Sequence, residues 1–240
     1  MSKHVTPRRR GSYGIDAPYG PAFMALVTIL LVVLAIAEGQ PRRLLPALFT
    51  CVVLGAYLYT TLRGKFVEWA DRLDELELRG DERVLDLGCG RGAVLLMAAQ
   101  HLTTGRAVGV DLWRSVDQSG NSMEATRRNA VAEGVADRVE LHTGDLRALP
   151  FGDNEFDLIV SSMAIHNIPS SAGREKAIDE AVRVLRPGGR LAILDLRATR
   201  RHEARLVELG MREVRRRTLG RGFWWGGPLR SARLVTATKP

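Results

Sequence analysis

Two uncharged apolar runs stand near the front of the 240-residue chain, "AFMALVTILLVVLAIA" over 22–37 and "LLPALFTCVVLGAYLYTTL" over 44–62. Each has about 16–19 residues, near the short end of what crosses the hydrocarbon core of a bilayer as a helix. The intervening "EGQPRR" leaves room only for a tight turn, so the pair predicts a helical hairpin. "FVEWADRLDELELRG" then repeats apolar residues at helical spacing and stops at Gly80, predicting a linker helix. Beyond it, short apolar runs bounded by turn residues alternate with helical patterns. Strands are expected at Arg83–Leu87, 106–113, 138–145, 156–160 and 190–196, and helices at Ala93–His101, 122–135 and 173–185. Asn121 and Glu124 have the spacing of a capping box at the start of the second of these helices. Alternation at this pitch predicts a parallel α/β sheet. After Leu196 a helix over 201–209 is followed by two strand-like runs, 211–220 and 232–240, with no helix between them. That ending predicts an antiparallel hairpin at the sheet edge. The expected organisation is a basic segment over 1–20, a hairpin over 21–63, a linker helix over 64–80 and an α/β domain over 81–240.

Charge orients the hairpin. Lys3 and Arg8, Arg9 and Arg10 precede it, Arg63, Lys65 and Arg72 follow it, and only Arg42 and Arg43 lie in its loop, offset in part by Glu38. The positive-inside tendency then places both termini, and the α/β domain, on the cytoplasmic side of the cell membrane as a multi-pass protein. Two other readings fit the first run. Its basic lead and "AIA" ending resemble a cleaved signal peptide, and both runs together fit an amphipathic hairpin buried against the domain. The net charge of +8, dense again over 197–221, suits nucleic acid or an anionic leaflet. Two apolar runs in the same chain favour the membrane as partner. The two cysteines, Cys51 and Cys89, offer neither a disulfide framework nor a metal cluster.

Ligands of open α/β sheets sit beyond the carboxyl ends of the strands, where strand order reverses. Beyond the first strand lies "VLDLGCGRGA". Gly88, Gly90 and Gly92 let the backbone approach a ligand with no Cβ in the way. With Ala93 they fit the dinucleotide fingerprint G-x-G-x-x-G/A and equally the loop that binds S-adenosylmethionine (SAM). Asp86 separates the two, because a carboxylate there attracts the ammonium of SAM's methionine portion and repels a pyrophosphate. Asp111, at the second strand end and about 20 residues past the glycines, suits the ribose hydroxyls of either ligand. Leu112 follows it beside the adenine position, and Trp113 is placed to flank the ring or to pack in the core. Asp145 follows the third strand, "SSMAIHNIP" the fourth, and Asp195 the fifth.

In this order and spacing, "VLDLGCGRG", "GVDLW", "GDLRALPFGDNEFDLIVSS" and "LRPGGRLAI" resemble the class I SAM-dependent methyltransferases. The likeness runs over 76–196 and is nearest in flavour to the ubiquinone/menaquinone-biosynthesis C-methyltransferases and related small-molecule enzymes. It implies a Rossmann-like, seven-stranded sheet with the last strand antiparallel, and SAM as cofactor. It implies further that Asp86 with Gly88, Cys89, Gly90 and Gly92 surrounds the methionine portion, that Asp111 with Leu112 meets the ribose, and that Asp145 with Leu146 meets the adenine. Ser161 completes the expected cofactor set, and no metal is expected. The side chains of Cys89 and Arg91 are expected to matter least. "DLWRSVDQSGNS" is longer and more polar than usual after the second strand, which suits a flap over the ligand or a solvated loop. The segment after the fourth strand lacks the Asn/Asp-Pro-Pro-aromatic signature of amino-directed nucleic-acid methyltransferases, which argues against a nucleic-acid partner.

Since the sulfonium methyl is already activated, the protein mainly aligns donor and nucleophile. A base is needed where the acceptor must lose a proton. His166 is the expected base, because it sits where the methyl emerges and an imidazole is the side chain most often used to accept a proton; its bland alternative is a turn residue bonded to backbone. Asn167 is placed to orient the acceptor, and Asp195 to face the pocket or cap its loop. Phe223, Trp224 and Trp225, between the last two strands, suit a bilayer-facing entrance or plain edge packing. The expected function is that of a membrane-anchored SAM-dependent methyltransferase acting on a small, lipophilic acceptor: a quinol, phenol, thiol or lipid. A tethered methyltransferase of a soluble metabolite, a non-catalytic SAM-binding membrane module and, remotely, an NAD oxidoreductase are the alternatives.

Overall fold

A computed structural model describes residues 9–220, 223–225 and 231–240. Lys3, Arg8 and Arg221, part of the charge reading above, lie outside them. The two apolar runs form α1 (Tyr19–Ala37) and α2 (Leu44–Tyr59), packed on one another. Their polar groups are consumed internally, since Thr28 Oγ1 donates to Met24 O and to Thr50 Oγ1 across the pair, both at 2.8 Å. The outward faces are apolar and exposed, with Phe23, Leu30, Leu48, Phe49 and Val52 open to the surroundings. α1 and the continuous helical stretch Leu44–Glu75 that begins with α2 are long and apolar enough to cross a membrane, and 11% and 17% of their most apolar windows are buried. A buried amphipathic hairpin is therefore not what these residues form.

The second helix runs on as α3 (Lys65–Glu75), joined to α2 by one turn of π-helix over Thr60–Gly64. Trp69, Leu73 and Phe66 sink one face of α3 into the domain. It ends before Gly80 because the buried carboxylate of Glu82 accepts the N–H groups of Arg79 and Gly80, at 2.7 and 2.9 Å, and turns the chain into the sheet.

The sheet comprises β1 (Arg83–Leu87), β2 (Arg106–Asp111), β3 (Val139–Thr143), β4 (Phe156–Ser162), β5 (Leu185–Asp195), β6 (Arg212–Thr218) and β7 (Arg233–Thr238), in the order β3-β2-β1-β4-β5-β7-β6. Strands β1 to β5 are parallel, and β7 runs antiparallel between β5 and β6. This is the seven-stranded arrangement with its last strand reversed that the family resemblance implies, and the β6–β7 pair is the antiparallel edge hairpin that the tail pattern predicts. Alternate residues of β1 enter opposite cores: Val84 joins Trp69, Leu95 and Leu102 on one face, while Leu85 and Leu87 join Ile165, Ile178 and Leu206 on the other. Helices α4 (Ala93–His101) and α5 (Met123–Glu133) accompany α3, while α6 (Ser171–Val184) and α7 (Thr199–Glu208) contribute to the second core. Strand order reverses between β1 and β4, and a cleft opens there.

Two local expectations change. The cap of α5 is Ser122, whose Oγ accepts from the Ala125 N–H at 3.1 Å, so no capping box starts at Asn121. Asn121 instead reaches Asp111 with Nδ2, at 3.2 Å. Of the aromatic group near the end of the chain, Phe223 and Trp225 are buried core residues, and Trp225 meets Tyr57 of α2 edge-on with centroids 5.1 Å apart. They weld the hairpin to the domain. The flanking residues 221–222 and 226–230 lie outside the described residues.

Candidate active site

The glycine loop is held rigid by its own peptide groups before any ligand arrives. Gly88 N–H donates to Val110 O at 2.8 Å and Gly90 N–H to Asp111 Oδ2 at 2.9 Å, which ties the loop to the end of β2. Thr126 Oγ1 of α5 donates to Gly90 O at 2.7 Å. Two glycines are required here by geometry. Gly88 has φ +74° and a Cβ on it would overlap Ala164 Cβ; Gly90 has φ +51° and a Cβ on it would stand 2.6 Å from Gln118 Oε1.

Asp86, Gly88, Cys89, Gly90, Asp111, Leu112, Asp145 and Leu146 all line one cavity over these strand ends. Asp86 is the chemically odd member. Its carboxylate is buried, Oδ1 has no hydrogen-bond partner, and burial foremost, with the charge of Asp111 adding, pushes its pKa up to about 8. A buried acid without a cation is costly, and a bound ammonium removes the cost. Asp111 is held by the N–H of Gly90 and by that of Trp113 at 2.6 Å. Asp145 is gripped by Arg147, which holds its carboxyl down to about 2. The Cys89 thiol is buried and its pKa is raised well above the ordinary value by burial, so it stays protonated and packs as an apolar group.

Two residues of the expected cofactor set stand behind the cavity. Gly92, at φ 86°, opens α4, and Ser161 is buried with Oγ donating to Leu87 O at 2.9 Å. Ser162, one residue on, faces the opening and accepts from Trp69 Nε1 at 2.9 Å. His166 sits beside the cavity in the turn Ile165–Asn167, between Ala164 and Asn167, which line it. Its Nδ1 lies 2.5 Å from Asp195 Oδ1, and Asp195 Oδ2 accepts the His166 backbone N–H at 2.9 Å. The buried Asp195 thus holds the turn and faces the ring.

The long segment after β2 folds over the cavity as a flap: Leu112, Arg114, Asp117, Gln118 and Asn121 line it. Gln118 Oε1 accepts the Arg91 N–H of the glycine loop at 2.8 Å. Two lining residues come from the front of the chain, Asp16 and Lys65, and sequence reasoning missed them. Asp16 did carry a signal, as the sole acid among the first 37 residues.

Comparison with known proteins agrees with this geometry. Residues 84–189 match the family described as "Methyltransferase domain". The chain is 37% identical over 123 residues to the ubiquinone/menaquinone biosynthesis C-methyltransferase of Roseobacter denitrificans, which covers 51% of this chain and 46% of that one. It is 33% identical over 163 residues to Methyltransferase GfsG of Streptomyces halstedii, covering 65% of this chain and 55% of that one. The chain spans roughly half the length of these relatives. A SAM-dependent methyltransferase from Aquifex aeolicus shares the fold, with a TM-score of 0.57 at 20% identity over 72% of this chain and 90% of the other.

Proposed function

We propose that the chain, whose residues 84–189 match a methyltransferase domain, is a class I SAM-dependent enzyme passing the methyl of SAM to a small, lipophilic acceptor that reaches it from a membrane. The observation carrying the donor assignment is Asp86, a buried acid with an unpartnered oxygen in a cavity edged by Gly88 and Gly90. An ammonium satisfies that acid, and a pyrophosphate does not, which removes the NAD alternative. Bound SAM supplies an electrophilic methyl on a sulfonium. Asp86 would take its ammonium, the glycine loop would hold the methionine portion, Asp111 would accept from the ribose, and Leu146 with Asp145 would hold the adenine.

On the acceptor side, His166 Nδ1 faces Asp195, which leaves Nε2 for the substrate. Where the acceptor is a hydroxyl or thiol, Nε2 takes its proton as the heteroatom attacks the methyl. The sulfur of bound SAM would leave with the bonding pair, and Asp195 would face the resulting imidazolium. Asn167 and Ile168 border the space where the acceptor lies. The flap and Lys65 wall exclude water and keep the reactants aligned.

The exposed apolar faces of α1 and α2 support a bilayer as the partner, with the domain on the cytoplasmic side. The quinone chemistry in the name of the Roseobacter denitrificans relative supports a quinol among the acceptors. The test is transfer from labelled SAM to quinol, phenol, thiol and lipid acceptors presented in vesicles, beside soluble analogues of each. Faster labelling of the lipophilic member of each pair is expected; preference for the soluble one would sink the membrane route. Release of the protein by alkaline carbonate would contradict a spanning hairpin.

A further inference from the structure

SAM's methionine portion is a zwitterion, so a site that takes its ammonium on Asp86 also needs a cation for its carboxylate. The cavity is lined by three basic residues, Lys65, Arg114 and Arg147. Arg147 is committed to Asp145, at the third strand end. Arg114 is exposed on the flap just past β2. Lys65 alone is buried, with its side chain 7% exposed.

Its position follows from the junction between hairpin and domain. The π-turn over Thr60–Gly64 sets Thr61 and Lys65 on the same side, and both hold one carboxylate. Lys65 Nζ donates to Asp16 Oδ1 and Oδ2 at 3.0 and 2.7 Å, and Thr61 Oγ1 donates to Oδ2 at 2.8 Å. Gln118 Nε2 donates to Asp16 Oδ1 at 2.8 Å while its Oε1 accepts from the Arg91 N–H at 2.8 Å. That relay puts the Asp16–Lys65 pair on the glycine-loop side of the cavity. Asp16 is in turn fixed by a strap: the Gly11 N–H reaches Glu133 Oε1 and the Ser12 N–H reaches Asn129 Oδ1, both at 2.8 Å. Among the described residues, Asp16 is the sole acceptor for the Lys65 ammonium, which leaves an N–H bond free to meet a ligand.

We propose that Lys65 receives the carboxylate of SAM's methionine portion, so that the base of the hairpin completes the donor site. The assignment rests on SAM being the donor. Asp16 fixes the ammonium in place, and Lys65 carries the ligand contact.

Calorimetry on the full-length chain with SAM and with decarboxylated SAM isolates that contact. Wild-type protein is expected to bind SAM roughly ten- to hundredfold more tightly than the decarboxylated compound, the range of one charge-assisted hydrogen bond. In K65M, or in K65Q should K65M fail to fold, the ratio is expected to fall to about one. R114Q is expected to keep it. A merely structural Lys65 would weaken both compounds equally, so a wild-type ratio surviving in a folded Lys65 variant, or a ratio lost in R114Q instead, overturns the assignment. Wild-type protein that binds neither compound overturns the donor reading itself.

Discussion

Asp86 makes a quantitative demand on how the donor binds. With its carboxyl at about 8, the residue is protonated in about nine of ten ligand-free molecules at pH 7, and ionising it costs about 1.4 kcal/mol there. An amino group on the ligand is charged below about pH 7.7–8.0. Forming the carboxylate–ammonium pair therefore releases close to one proton per binding event below about pH 6.5 and less nearer that range, and the dissociation constant should weaken about tenfold for each pH unit lost between about pH 6.5 and 5.5. D86N has no proton to release. It should flatten this slope and lose roughly 3–5 kcal/mol of affinity, the cost of leaving the partner charge unpaired. The variant also reports on the free protein. The folded pKa lies above the ordinary value of 3.8, so the wild type loses stability as pH rises from that value through about 8. The melting-temperature advantage of D86N should thus grow from pH 5 to 8 and level off beyond. Calorimetry in buffers of different ionisation enthalpy counts the protons. A pH-independent affinity with no proton released would refute the pairing.

Three further outcomes follow from particular contacts. H166A should lower kcat by roughly two to four orders of magnitude for a hydroxyl or thiol acceptor while the dissociation constant for SAM stays put; full turnover in single-turnover assays removes the base. G88A should destabilise the chain by about 1–3 kcal/mol, and adding A164G should recover the steric part but not the cost of the positive φ, read by urea titration. Equal melting of the single and double variants would contradict the close approach. W225A should cost about 3–5 kcal/mol in the same titration, and protease cutting near Tyr57 should increase, since that ring loses its edge-on partner.

The sheet was legible because its signals are local and periodic. β1, β2 and β5 are apolar runs that end at glycine or an acid, and the helices between β1 and β2, β2 and β3, and β4 and β5 suit parallel neighbours. For the same reason Asp86, Asp111 and Asp145 stood out: a strand end is a position in sequence and in space at once. Pairings made only through the fold were not legible, even where each residue was singled out by itself. Asp195 and His166 face each other because β4 and β5 are neighbours, with Ser162 opposite Leu194. Strand parity also hid a distinction that one residue decides. Ser161 points into the sheet toward Leu87 O, whereas Ser162 faces the cavity, and a shift of one residue exchanges the two faces. Asp16 and Lys65 lie 70 and 21 residues before Asp86 in the chain, outside the span of the family likeness. No periodicity links them to it.

The placement of that pair bears on what the hairpin is for. A leash needs only an apolar surface and a loose connection. Here the connection is a continuous helical path from α2 through the π-turn into α3, braced by Tyr57 against Trp225 and by Thr60 Oγ1 donating to Trp224 O at 3.3 Å. A buried ion pair such as Asp16–Lys65 is a poor source of stability, because desolvation offsets most of its attraction, and an apolar pair of similar volume would brace the junction at least as well. Both members of the pair line the cavity, so on the Lys65 proposal the charge serves the ligand rather than the brace. On the membrane reading, the same helical path that meets the lipid also carries an ammonium that lines the cavity. A displacement of the hairpin in the bilayer then changes the donor site directly, through Thr61, Lys65 and Asp16, with no intervening loop to absorb it.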